Sequence, residues 1–344
     1  MRRKWRYATG WAVVLATVAV ITTGCGGSGS SSAPGAKSAN EAGSPAAAAP
    51  AKAGAIQVAV IPKGLTHQFW VSVHQGAEKA GREAGAEILW QGPAKETDID
   101  KQISIIQDML TRKVNAMVLA ACDADALVGI VEQVAASGIP VVMIDSGVNS
   151  DAPVATAATD NEAGARLAAK TLADLIGGQG DVGLIPFVAG SATSEAREKG
   201  FREGLEAYPG IRLVSVQYSQ SDAAIGMNVT SDMLSANPGL KGIFAANEAG
   251  AIGAAQALRG AGRAGEVKLV AFDASEEEIA ALKEGVIQAL IVQNPFRMGY
   301  EGVKAALAAL RGEQVPKIID TGVTVVTKDN LDTPEVQAIL NPNP

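Results

Sequence analysis

Large aromatic side chains, histidine and cysteine are all scarce in this chain. Phe, Trp and Tyr make up 4% of it, and there are two histidines and two cysteines, Cys25 and Cys122. So few thiols exclude a disulfide-dense scaffold. His67 and His74 have no clustered third ligand, so no metal site is expected. Charged residues are only 19%, the net charge is −7, and no basic stripe occurs, which argues against nucleic acid as a partner. There is no P-loop and no Gly-x-Ser-x-Gly nucleophile elbow. The longest apolar stretch, residues 8–21, is too short to span a bilayer comfortably.

That stretch follows Arg2, Arg3, Lys4 and Arg6, and together they have the pattern of a secretory signal peptide over residues 1–24. The sequence Thr22-Thr23-Gly24-Cys25 resembles the bacterial lipobox, with Thr22 where an aliphatic residue is usual. Cys25 is thus the expected lipidation site, and cleavage nearby by a plain signal peptidase is the alternative. Up to residue 55 the chain is mostly Gly, Ser, Ala and Pro and cannot bury enough surface to offset its ordering entropy. It reads as a tether, holding an exported protein to the membrane through a lipid anchor. If Cys25 is lipidated, Cys122 has no partner, and its alternating apolar surroundings mark a small buried residue.

The remaining stretch of about 290 residues is enough for two domains. Its apolar residues are mainly Ala, Val, Ile and Leu in short blocks, which suit parallel strands buried under helices. Strands are expected at 57–61, 87–90, 116–120 and 141–144, alternating with helices at 69–84, 98–112 and 124–137. After a short extended piece at 154–157, a second series has strands at 181–186, 212–217, 242–246, 268–272 and 288–292. Its helices are expected at 162–176, 194–207, 223–236, 249–260 and 276–284, with a last one at 297–310. Two sets of βα units separated by an irregular stretch predict an α/β protein with two doubly wound, Rossmann-like parallel-sheet lobes. A (β/α)8 barrel is the alternative.

In open parallel sheets ligands bind beyond the carboxyl ends of the strands. The residues there include Lys63, His67, Phe69 and Trp70 after the first strand, and Asp145 after the fourth. Asn247, Asp273 and Gln293 follow later strands, and Arg197 lies in the first turns of a helix. Each has a plainer explanation. Asn247 can cap a helix, Arg197 can pair with a surface glutamate, and Phe69 and Trp70 can be core residues. Asp273 is freer, because Ser275 and Glu278 already make a capping box. Their convergence suits a polyhydroxylated ring, with carboxylates and amides on the hydroxyls and aromatic faces on the C–H surface.

These residues carry a resemblance to the periplasmic sugar-binding proteins of the ribose-binding type, the extracytoplasmic receptors of ABC importers. The shared motifs are the Phe69-Trp70 pair, Ile144-Asp145, Thr159-Asp160-Asn161, Ala196-Arg197-Glu198-Lys199-Gly200-Phe201, Ala246-Asn247-Glu248 and Phe272-Asp273. The resemblance implies a fold of the type I periplasmic-binding-protein class, its lobes joined by a three-segment hinge. The implied N-terminal lobe is residues 56–158 plus 294–322, and the C-terminal lobe is 159–293 plus 323–340. It further implies polar contacts from Asp145, Arg197, Asn247, Asp273 and Gln293, and aromatic walls from Phe69 and Trp70. A monosaccharide ligand, an ABC permease partner, a monomeric state, no cofactor and no catalytic residue complete the expectation.

The chain departs from ribose binders at several positions. Ser146 stands where they have arginine, His67 where they have asparagine, Ser221 where they have an aromatic, and Lys63 where a small polar residue is usual. Lys63 is a candidate charge partner for Asp145, a candidate contact for an acidic or amino-modified ligand, or a solvated rim lysine. The literal Gly260-Ala261-Gly262-Arg263-Ala264-Gly265 matches the dinucleotide fingerprint but is expected after a helix and before a strand, the reverse of what phosphate binding needs. A sugar-responsive repressor would start with a DNA-binding helix pair in place of an export signal. A receptor for a chemotaxis or kinase partner would use the same closure.

Overall fold

The computed structural model describes residue 54 and residues 56–342. The expected signal peptide, Cys25 and the rest of the tether lie outside the described residues. The first series comprises β1 (Gln57–Ile61), α1 (Gln68–Ala84), β2 (Glu87–Trp90), α2 (Ile99–Thr111), β3 (Ala116–Leu119), α3 (Val128–Ala136), β4 (Val141–Ile144) and β5 (Ala155–Ala158). The second runs α4 (Asn161–Ile176), β6 (Gln179–Ile185), α5 (Ala192–Leu205), β7 (Gly210–Val216), α6 (Ala223–Ala236), β8 (Leu240–Ala245), α7 (Glu248–Gly260), β9 (Lys268–Phe272), α8 (Glu276–Glu284) and β10 (Ala289–Gln293). The chain ends with α9 (Pro295–Leu310), β11 (Ile318–Asp320), β12 (Val323–Val326) and α10 (Pro334–Leu340).

These strands form two separate six-stranded sheets, ordered β11-β5-β4-β3-β1-β2 and β12-β10-β9-β8-β6-β7, so a closed barrel is excluded. All pairings are parallel except β10 with β12. Every residue of β3 and β4 is buried, as expected for strands covered by helices on both faces. The chain passes from the first sheet to the second between β5 and β6, returns between β10 and β11, and passes again between β11 and β12. Helix α9 therefore packs on the first sheet beside α1. Their close approach requires glycine on both sides. A Cβ on Gly76 would lie 1.9 Å from the Phe296 carbonyl oxygen, and one on Gly299 would lie 2.0 Å from that of Val73.

The short extended piece expected at 154–157 is the strand β5, hydrogen-bonded between β4 and β11. Three other local features depart from expectation. The helix expected from 124 starts at Val128, because the Asp123 carboxylate first accepts from the N–H groups of Asp125 and Ala126 and holds a turn. Strands β11 and β12 carried no strong pattern, since both are short edge strands and Ile318 is 72% exposed. Helix α10 is likewise too short for its periodicity to stand out.

Candidate functional site

The residues that follow β4 and β9 share an uncommon backbone. Asp145 has φ 55° and Asp273 has φ 87°, both in the left-handed region that non-glycine residues seldom occupy. Aspartate tolerates it better than most residues, at a cost of order 1 kcal/mol. Each turn is held by the adjoining strand, with Asp145 N–H donating to the Ala157 carbonyl (3.1 Å) and Asp273 N–H to that of Ile291 (3.0 Å). In this way the strand ends turn both carboxylates into one cavity between the two sheets.

All nine residues singled out in the sequence line that cavity. Lys63, His67, Phe69, Trp70 and Asp145 come from the first-sheet side, and Arg197, Asn247, Asp273 and Gln293 from the second. Lys63 is 3% exposed and is no rim lysine. Its loop is fixed from behind by buried Gln102, which donates to the carbonyls of Pro62 (3.0 Å) and Ala120 (2.8 Å) and accepts from Cys122 N–H (2.9 Å). The Lys63 ammonium lies 2.8 Å from Asp145 Oδ2, yet that oxygen has no aligned hydrogen-bond donor. Lys63 also donates to Thr193 Oγ1 on the opposite side of the cleft (3.0 Å). Burial opposes its charge, but Asp145 and Glu96 outweigh burial and raise its pKa.

Two lining residues were missed in the sequence, Glu96 and Phe187. Glu96 accepts from the Trp70 indole N–H (2.9 Å), lies 3.5 Å from the His67 ring and accepts from Ser221 Oγ (2.9 Å). Burial favours its neutral form, but Lys63, His67 and Trp70 prevail and hold its carboxyl well below the usual range. Glu96, with the charges of Glu248 and Asp273, in turn overcomes the burial of His67 and raises its pKa to about 9. Within Lys95-Glu96-Thr97-Asp98, Glu96 reads simply as part of a charged helix start. Phe187 stands two positions past the end of β6, where the strand-end rule would have found it. Lys63 Nζ and Arg197 Cζ lie 5.2 and 5.5 Å from its ring centroid, within cation–π range.

On the second side, Arg197 is 2% exposed and donates to Asn161 Oδ1 (2.8 Å) and the Ala246 carbonyl (2.7 Å), with its guanidinium 3.7 Å from the Phe272 ring centroid. It is therefore not the surface partner of a glutamate. Nor does it form an ion pair with Asp273 among the described residues. Asp273 accepts from Glu248 N–H (3.0 Å) and Gln293 Nε2 (2.7 Å), leaving Gln293 Oε1 buried without a partner. Burial raises the Asp273 carboxyl against the pull of Arg197. Asn247 serves both readings, since Oδ1 caps α7 at Gly250 N–H while Nδ2 donates to Ser221 Oγ (2.7 Å). The Ser275 and Glu278 capping box is present as expected.

Other motifs fall outside the cavity. The glycine run 260–265 joins α7 to β9, at the amino ends of the strands. Cys122 is buried, which pushes its thiol up to about 12, and His74 stacks on Trp90 with ring centroids 4.4 Å apart.

A family model described as a periplasmic binding protein domain matches residues 58–314. The D-ribose/D-allose-binding protein of Pseudomonas aeruginosa is 32% identical over 284 residues, which cover 79% of this chain and 88% of that protein. Among solved structures, a carbohydrate transporter solute-binding protein from Agrobacterium radiobacter in complex with D-arabinose superposes with a TM-score of 0.82 at 36% identity, covering 84% of this chain and 100% of that one. An ABC transporter solute-binding protein from Agrobacterium vitis with bound D-fucose gives 0.80 at 40% identity, covering 82% and 99%.

Proposed function

Because the chain belongs to the periplasmic binding protein family, in its ribose-binding type, we propose that it captures a monosaccharide between its lobes and delivers it to an ABC importer, performing no chemistry. The observation that carries this reading is the cleft between the sheets, where hydrogen-bonding groups from both converge beside aromatic faces. The charges around it balance, with Lys63, Arg197 and protonated His67 against Asp145, Glu96 and Asp273. A neutral sugar fits that balance better than an acid, because the lysine charge already faces Asp145.

In this reading Asp145 and Gln293 Oε1 accept from sugar hydroxyls, Arg197 and Asn247 donate, and Phe69, Trp70 and Phe187 cover the ring faces. The N-terminal lobe comprises residues 56–158 and 294–322, and the C-terminal lobe residues 159–293 and 323–340. Hinge bending where the segments cross closes them, and solute shifts the population toward the closed form. The protein acts as an exported monomer, tethered through lipid on Cys25 and presenting the adjacent lobe edges to its permease.

A thermal-shift screen of the purified protein against pentoses, hexoses, inositols, amino sugars and sugar acids tests the reading. A rise in Tm with a neutral pentose or hexose is expected. A response to sugar acids alone, or to nothing in the panel, would overturn it.

A further inference from the structure

Helix α1 begins without a cap of its own. His67 holds its N-cap position but makes no side-chain bond to it, and the first turn contains no acidic residue. The N–H groups of Gln68 and Phe69 donate instead to the two carboxylate oxygens of Glu248, each at 3.0 Å. Glu248 is the first residue of α7, in the opposite lobe. The exchange also runs the other way. The capping box of α8 uses the N–H groups of Ser275 and Glu278 and leaves that of Glu276, which donates to Gln68 Oε1 across the cleft (2.8 Å).

Each lobe thus completes a helix terminus of the other. Opening would return all three N–H groups to water and take a carboxylate away from the positive end of α1, where charge-assisted bonds are strongest. Glu248 is 6% exposed, and its own N–H holds Asp273. We propose that Glu248 is a positioning residue for solute capture, holding the lobes closed by reciprocal helix capping before any solute is bound. The inference rests on the cleft being a closing solute site. Part of the closure free energy then lies in the protein, and the solute has less of it to supply.

Hydrogen exchange read at single-residue resolution on the full chain, without sugar, tests this, because an amide bonded only in the closed form exchanges through the open form and in proportion to its population. Protection of Gln68, Phe69 and Glu276 is expected in the wild-type protein. In Glu248→Ala, Gln68 and Phe69 lose their acceptor and should exchange directly, and Glu276, whose acceptor remains, should exchange about tenfold faster through opening, the size of a lost charge-assisted cap, while amides of β3 and β8 keep their protection. Glu248→Gln, with one acceptor left, should fall between. Gln68→Ala should expose Glu276 directly and Phe69 through opening. Unprotected amides in the wild type would overturn the proposal. So would a Glu248→Ala variant that frees Gln68 and Phe69 but leaves Glu276 unchanged, since that describes only a local cap. No readout involves a sugar, so failure here is distinguishable from failure of the thermal-shift screen.

Discussion

On the first-sheet face of the cleft each charge stands beside an opposite one, Lys63 at 2.8 Å from Asp145 and His67 at 3.5 Å from Glu96. On the second-sheet face Arg197 rests on an aromatic ring and a carbonyl, and Asp273 accepts only from amides. The two aspartates sit on the same left-handed turn after a parallel strand, so the difference arises from their neighbours and not from the backbone. One face is electrostatically complete before a ligand arrives. The other keeps donor capacity on Arg197 and an open acceptor on Gln293, to which the first face adds only the open Asp145 Oδ2.

Breaking the first face should have the largest effect on stability. Lys63→Met leaves Asp145 buried without its counter-charge and should cost about 3–5 kcal/mol in urea unfolding, whereas adding Asp145→Leu should restore most of the loss. A single variant within 1 kcal/mol of wild type would mean the pair is solvated and the contrast between faces is wrong.

The second effect depends on pH. His67 has its pKa raised in the folded state from 6.5 to about 9, so its contribution is fully present below 6.5 and is lost as pH rises through 9. Unfolding free energy measured from pH 6 to 10 should fall by up to ~3 kcal/mol, and His67→Asn should flatten that fall. A wild-type profile parallel to that of the variant would remove the His67–Glu96 pair from the account.

The smallest of the three falls on the second face and on binding. Asp273→Ala leaves Glu248 N–H, Gln293 Nε2 and the sugar hydroxyls unpaired, which should weaken affinity by ~2 kcal/mol, about 30-fold, in titration calorimetry. Its stability cost should be below that of Lys63→Met, because the buried Arg197 keeps its hydrogen bonds to Asn161 and the Ala246 carbonyl and its contact with the Phe272 ring. The reverse order would place the tighter charge coupling on the second face.

Most of the fold was legible because each βα unit declares itself locally, through a β-branched run and then a 3.6-residue periodicity. The nine cavity residues were legible for a related reason. Each stands just past a strand or in the opening turns of a helix, and parallel topology gathers such positions at one edge. Glu96 escaped because nothing around it sets it apart from a solvated charge. Strands β11 and β12 escaped because an edge strand of three or four half-exposed residues has almost no apolar pattern. The partners of Arg197 were not legible without geometry, since a buried guanidinium can be satisfied by carbonyls and rings as well as by a carboxylate.

By itself, then, the amino-acid sequence determined the alternation of strands and helices and which side chains stand at the strand ends. Those features depend on neighbours a few positions away. Tertiary structure alone decided that Lys63 faces Asp145, that Glu96 joins Trp70, His67 and Ser221, and that Glu248 caps a helix start 180 residues earlier in the chain. Such partners meet only when the second lobe folds against the first, and burial then gives their charges and hydrogen bonds a strength that no local pattern encodes.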